Sequence, residues 1–196
     1  ALLDVGLYSA DMATEDIDLT WRLQRRHWDV RYEARAVIWM RVPQSLQGLC
    51  RQRRRWALGL SQVLHRHGRS FLHWRHRRFW PVLVEATLSV SWAYTYVVLS
   101  SVWLVSYAVG YPPVGVSPIP NFWGMLIATV CIVQLLTGML LDRRYDRRLP
   151  HDFMMSVLYP LVYWLLMAVI TTVTHPAGAL VNRQRTRYTL WKPVRE

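Results

Sequence analysis

The spacing of hydrophobic positions changes along this chain, first helical, then alternating, then unbroken. A loop at Asp11–Thr14 leads into a predicted helix with Glu15, Asp16 and Asp18 in its first turn and Arg22, Arg25 and Arg26 toward its end. That polarity complements the helix dipole. From Val30 the pattern alternates, with Val30, Tyr32, Ala34 and Ala36 on one face and Arg31, Glu33 and Arg35 on the other. Such alternation predicts a half-buried strand. After Pro43 a second helix is predicted over about 45–67, where Leu46, Leu49, Trp56, Leu60 and Leu64 recur at three- and four-residue spacing. Arg51, Arg53, Arg54 and Arg55 crowd its middle. Leu and Trp beside a basic face suit a helix lying in the headgroup plane of a membrane. An ordinary core helix with a solvated basic face is the alternative.

Beyond Trp80 the polar positions all but vanish. Residues 81–109 carry one charge, Glu85, and residues 122–141 and 153–174 carry none. About 20 apolar residues cross a bilayer core of roughly 30 Å, so each stretch is long enough to span. The 110–121 connector, with four prolines and no charge, is expected to face outside. The 142–152 connector carries Arg143, Arg144, Arg147 and Arg148 and is expected to face the cytoplasm. Asp142, Asp146 and Asp152 are expected to form local ion pairs with those arginines. A simple third crossing would place Arg183, Arg185, Arg187, Lys192 and Arg195 outside, against the positive-inside bias. Pro160 makes a re-entrant hairpin the alternative, while the length of the stretch favours a spanning helix.

Composition agrees with a membrane protein. Of 196 residues 53% are hydrophobic, with 11 Trp and 10 Tyr, and the formal charge is +12. Abundant Trp and Tyr suit interfacial belts. The positive charge adjoins the apolar stretches, which favours membrane and phosphate chemistry over nucleic acid. Cys50 sits in a basic helix and Cys131 in an apolar span, so no disulfide between them is expected. The first residues lack the basic and apolar regions of a signal peptide and read as mid-domain sequence, so the chain is expected to be part of a longer protein. The basic run from His65 to Arg78 shows no metal-ligand constellation and reads as solvated or lipid-facing. Glu85, one turn into a span, either reaches the interface or serves a polymer path or a partner.

Two strings carry candidate chemistry. Thr14-Glu15-Asp16 sits at a helix start, where Thr14 caps and the acids answer the dipole, or where a carboxylate is preorganised as a general base. Gln52, Arg55 and Trp56 stand at i, i+3 and i+4 and project to one side of their helix. Arginine forks bind phosphate oxygens bidentately, and a Trp face can stack on a sugar ring. The alternative is that Trp56 is a core or interface aromatic and the arginines bind lipid headgroups, with Arg53 and Arg54 turned to lipid or solvent.

Taken in order, Asp11-Met12-Ala13-Thr14-Glu15-Asp16-Ile17-Asp18, Tyr32-Glu33-Ala34-Arg35-Ala36 and Gln52-Arg53-Arg54-Arg55-Trp56-Ala57 resemble the processive family-2 glycosyltransferases, which include cellulose, hyaluronan and chitin synthases. The surrounding residues, from Gly6 to Asp11 and at Arg143-Arg144-Tyr145-Asp146, resemble those members that build the N-acetylglucosamine exopolysaccharide of biofilms. The resemblance covers essentially the whole chain.

It implies the C-terminal part of an α/β GT-A-type glycosyltransferase domain over residues 1–80, followed by an α-helical transmembrane region over 81–196 with a basic C-terminal tail. It implies an inverting hexosyltransferase of the bacterial inner membrane, multi-pass, with its catalytic domain cytoplasmic. UDP-N-acetylglucosamine would be the donor, the growing polysaccharide the acceptor, and the membrane helices would assist export. Asp16 would be the catalytic base, Thr14 and Glu15 would position the loop and the acceptor, and Gln52, Arg55 and Trp56 would hold the acceptor terminus and the diphosphate. A divalent metal, Mg or Mn, is implied for the full-length enzyme with ligands upstream of Ala1, so this chain alone is expected to be inactive. Cyclic di-GMP control through a small membrane subunit is implied as well. The rival readings are a synthase of another β-linked polymer, of hyaluronan, cellulose or chitin type, and a non-catalytic lipid-binding membrane subunit.

Overall fold

The computed structural model describes residues 1–33, 35–38, 40–111, 122–143, 145 and 153–180. Ala34, the proline-rich connector, the loop residues Arg144, Asp146, Arg147, Arg148 and Asp152, and the basic tail lie outside the described residues. Five α-helices are present among those described: α1 (Glu15–Arg25), α2 (Leu46–His67), α3 (Trp80–Ala108), α4 (Phe122–Asp142) and α5 (Phe153–Leu180). Two short 3-10 turns, Gly68–Leu72 and Trp74–His76, join α2 to α3.

Local chemistry explains the helix starts. At α1 the Thr14 carbonyl accepts the Asp18 N–H at 3.2 Å, and three acids occupy the first turn. At α2 the Ser45 hydroxyl accepts the Gly48 N–H at 3.1 Å, an ordinary N-cap bond. Both cysteines are free thiols.

No strand occurs among the described residues, which corrects the strand expected over Val30–Ala36. The described residues of that segment are irregular and exposed, with the Ala36 N–H on the Glu33 carbonyl and the Val37 N–H on the Arg35 carbonyl. Alternation becomes a strand only where a second strand takes up its backbone groups. Here local turns and the Arg35–Glu33 pair at 2.8 Å take that place.

The chain divides into two compact units, residues 1–97 with 168–196, and residues 98–167. In the first unit, Met12, Trp21, Val63, Phe79 and Leu83 form the core that joins α1, α2 and the start of α3. Trp21 meets Phe79 edge-on at 5.2 Å and His67 at 5.8 Å. The buried face of α2 is not the Leu and Trp stripe that the core-helix alternative would bury. Leu46 and Trp56 are exposed, and Ala57, Gly59, Ser61 and Val63 are buried instead. Small residues are there because the backbone of α2 is approached closely from two sides. On one side lies the loop before α1. On the other lies the C-terminal half of α5, where a Cβ on Gly178 would meet the Leu58 carbonyl oxygen at 2.8 Å. The Ser61 hydroxyl donates to the His175 carbonyl at 2.7 Å across that contact.

The second unit is helical, with large apolar residues such as Leu104, Val105, Ile127 and Val133 exposed. Stacked aromatic pairs one turn apart, Trp103–Tyr107 and Tyr159–Tyr163, reinforce its helices. Among the described residues, three helices are long and apolar enough to cross a membrane, within α3, α4 and α5. Pro160 does not break α5, which continues from Phe153 to Leu180. One missing backbone donor leaves the remaining ladder intact.

Candidate active site

The loop before α1 is seated on α2 by three successive contacts. Thr14 lies against Gly59, so closely that a Cβ there would come within 2.4 Å of the Thr14 methyl carbon. The Ala13 N–H donates to Gln62 Oε1 at 3.1 Å. Arg66 then reaches Asp11, Ser9 and Asp18. Gly59, Gln62 and Arg66 follow one another at three- and four-residue spacing, so they form one stripe of α2.

That stripe extends backward to Arg55 and Gln52. With a rise of 1.5 Å per residue, Arg55 stands about 6 Å and Gln52 about 10.5 Å along the helix from Gly59. The acidic turn and the Gln–Arg pair thus share one face of one rigid helix. Gln52 and Arg55 are half-buried on it. Trp56 is 39% exposed, and the Arg53 guanidinium lies over its ring at 4.0 Å. Arg53 is half-buried there, and a cation over the indole face is a favourable partner. Arg54 is exposed.

Glu15 and Asp16 are both exposed at the start of α1. Asp16 Oδ1 accepts the Ile17 N–H at 2.9 Å, and the Asp16 carbonyl accepts the Thr20 hydroxyl at 2.9 Å. Its carboxylate is therefore aligned by backbone yet open to a ligand. Thr14 is buried, and its hydroxyl makes no capping bond. Its place is set by contact with Gly59, not by the N-cap chemistry that a threonine at a helix start suggests.

Beneath the turn lies a polar hub centred on Asp18, whose side chain is fully buried. Asp18 Oδ1 accepts from His67 Nε2 at 2.9 Å and from Arg66 at 3.2 Å. Oδ2 accepts from the Ser9 hydroxyl at 2.7 Å and from Arg22 Nε at 2.9 Å. Arg25 donates to His67 Nδ1 at 2.9 Å, which places the ring proton on Nε2, because a guanidinium has no acceptor. Burial by itself would raise the Asp18 pKa. Hydrogen bonds from His67 and Ser9 and the charges of Arg66 and Arg22 outweigh burial and hold the carboxyl well below its ordinary range. Arg22 also donates to the carbonyls of Val5 and Leu7, which ties the first residues to α1.

The hub escapes a reading of sequence alone. Asp18 looks like one more first-turn acid, and only its i,i+4 spacing to Arg22 hints at a pair. His67 corrects the reading of His65–Arg78 as uniformly solvated or lipid-facing, for it is buried between Trp21 and Asp18. Glu85 is exposed on α3, and Asp142 makes no ion pair among the described residues.

The sequence model of glycosyl transferase family group 2 matches residues 1–174 of this chain. Poly-beta-1,6-N-acetyl-D-glucosamine synthase of Staphylococcus epidermidis is 30% identical over 193 residues, which is 97% of this chain and 46% of that protein. The synthase of the same description from Staphylococcus aureus strain COL is 29% identical over 193 residues, again 97% of this chain and 46% of the relative. The chain thus spans about half the length of these curated relatives. No solved structure matches it significantly.

Proposed function

Because this chain belongs to glycosyl transferase family group 2, we propose that it is the acceptor-side and membrane-side half of a processive synthase that polymerises N-acetylglucosamine from UDP-N-acetylglucosamine. The observation that carries this reading is the seating of the Thr14-Glu15-Asp16 turn on the same stripe of α2 that bears Gln52 and Arg55. A glycosyl transfer with inversion needs a base on the acceptor hydroxyl and positive charge on the departing diphosphate, both held in fixed register. A rigid helix that carries one set and docks the other provides that register.

In this reading the exposed Asp16 carboxylate takes the proton of the acceptor hydroxyl as its oxygen attacks the donor's anomeric carbon. Arg55 neutralises diphosphate charge as the carbon–oxygen bond to UDP breaks, and Gln52 holds the chain end. Trp56 offers a stacking surface for a sugar ring, with Arg53 over the indole. Thr14 positions the turn and Glu15 faces the acceptor. The remaining α/β GT-A domain belongs to the longer protein in this reading. Family membership implies a divalent metal, but no group of three or more His, Cys, Asp or Glu suited to one occurs among the described residues. The span-length helices fit a bacterial inner-membrane enzyme that guides its polymer outward.

The test uses the full-length protein in membranes. Asp16→Asn should abolish polymer formation from UDP-N-acetylglucosamine while membrane insertion is unchanged. Surviving synthesis would remove Asp16 as base. Preference for UDP-glucose or for UDP-glucuronate with UDP-N-acetylglucosamine, in a side-by-side panel, would replace the polymer assigned here.

A further inference from the structure

The segment between α2 and α3 is pinned on its inner side and unpartnered on its outer side. Inside, Phe79 is buried against Trp21 and His67, and the Trp80 indole N–H donates to the Ser70 carbonyl at 3.1 Å. Trp74 meets Trp80 edge-on at 5.4 Å. Outside, Leu72 is 81% and Trp74 69% exposed, beside exposed Arg69, Arg75, Arg77 and Arg78. Arg77 lies 5.5 Å from the Trp74 ring centroid. None of these four arginines pairs with a carboxylate among the described residues.

The sequence leaves this charge uncompensated. Between Glu33 and Glu85 there are 11 arginines and no acidic residue. At the inner edge of this stretch, burial first, then the positive charges of Arg25, His73, His27 and Arg75, push the His76 imidazole below the ordinary histidine value.

We propose that residues 69–78 form a collar that binds the phosphate headgroups of anionic phospholipids where the chain enters the membrane. Three features select this occupant. The collar runs without interruption into Trp80, the first residue of a span-length apolar helix. Its exposed Leu72 and Trp74 need hydrocarbon, which a soluble polyanion would not provide. Its arginines present planar forks to phosphate oxygens, and each basic group near an anionic surface strengthens binding about fivefold. The inference rests on the membrane placement proposed above and is independent of the transfer chemistry.

The experiment takes full-length protein in detergent micelles and measures the association of spin-labelled phosphatidylglycerol and phosphatidylcholine. Phosphatidylglycerol should bind at least tenfold more tightly. The combined variant Arg75→Gln, Arg77→Gln and Arg78→Gln should lose that preference and keep its phosphatidylcholine affinity. Lysine at the same three positions should retain most of it, which separates charge from a folding defect. Millimolar inorganic phosphate should fail to compete. Equal affinity for the two lipids, a glutamine variant that still prefers phosphatidylglycerol, or competition by free phosphate would each overturn the proposal. Alkaline washing of membranes is the separate check, because release of the protein would overturn the membrane placement itself.

Discussion

Replacing Asp18 by asparagine removes the negative centre of the hub beneath the acidic turn while preserving the shape of the side chain. Asp18 accepts from four donors, at 2.7 Å (Ser9), 2.9 Å (Arg22), 2.9 Å (His67) and 3.2 Å (Arg66). An asparagine can satisfy the donors on one side only, and its NH2 group then faces donors on the other. Arg22, largely buried at 19% side-chain exposure, loses its carboxylate partner, and Arg66, at 18%, keeps only its pair with Asp11. Removing one partner of a buried ionic cluster costs about 3–5 kcal/mol, so the melting midpoint should fall on the order of 10 °C. Thermal unfolding of full-length protein in detergent, read by protease susceptibility of the region before α3, measures this. Asp11→Asn is the control, because Asp11 is 39% exposed and its pair with Arg66 is partly screened. A shift for Asp18→Asn no larger than that of Asp11→Asn would refute the assignment of Asp18 as the hub.

The pH dependence has a definite sign. The folded Asp18 carboxyl is held well below its ordinary value of 3.8. On acidification the unfolded chain binds this proton before the folded one does. The contribution is therefore complete above the ordinary carboxylate value and is lost as pH falls from there toward the depressed folded value. The melting difference between wild type and Asp18→Asn should stay constant from about pH 7 to about pH 5 and shrink only below about pH 4. A difference that fades between pH 7 and pH 5 would contradict the hub geometry.

Two glycine positions yield contrasting predictions. In Gly59→Ala the new Cβ would lie 2.4 Å from the Thr14 methyl carbon and 2.5 Å from its hydroxyl oxygen, an overpacking worth about 1–3 kcal/mol. Polymer synthesis should fall at least tenfold, and Thr14→Ala in the same chain should recover part of the lost thermal stability, since it removes both atoms and leaves only the Thr14 Cβ contact at 2.9 Å. In Gly178→Ala the Cβ would meet Ser61 Cβ at 2.6 Å and the Leu58 carbonyl oxygen at 2.8 Å. A backbone oxygen cannot swing aside, so stability should drop by a similar about 1–3 kcal/mol and Ser61→Gly should restore little of it. Rescue by Ser61→Gly would place the clash at the side chain instead.

The membrane-spanning lengths were legible because hydrophobicity is a local property and a bilayer core has one thickness. The order of the Thr14-Glu15-Asp16 and Gln52–Trp56 strings was legible for the same reason, as residue types at readable spacing. The packing face of α2 was not. Leu46 and Trp56 stood out as its apolar face, yet Gly59 and Ser61 are the residues in close contact, because what matters there is how nearly another backbone can approach. Alternation at Val30–Ala36 misled for a related reason, since a strand requires a partner and the described residues supply none.

The sequence by itself determined which residue types the chain carries, where apolar runs are long enough to cross a membrane, and which family the motifs resemble. Only the tertiary structure decided that Asp18 is a buried hub and Asp16 an open carboxylate, although both stand in the first turn of α1. It alone decided that His67 is core while its basic neighbours are surface. The reason is that Asp18 and His67 are 49 residues apart along the chain and 2.9 Å apart in space. Local spacing cannot encode a contact of that range; the close fit of Thr14 against Gly59 brings the two elements together.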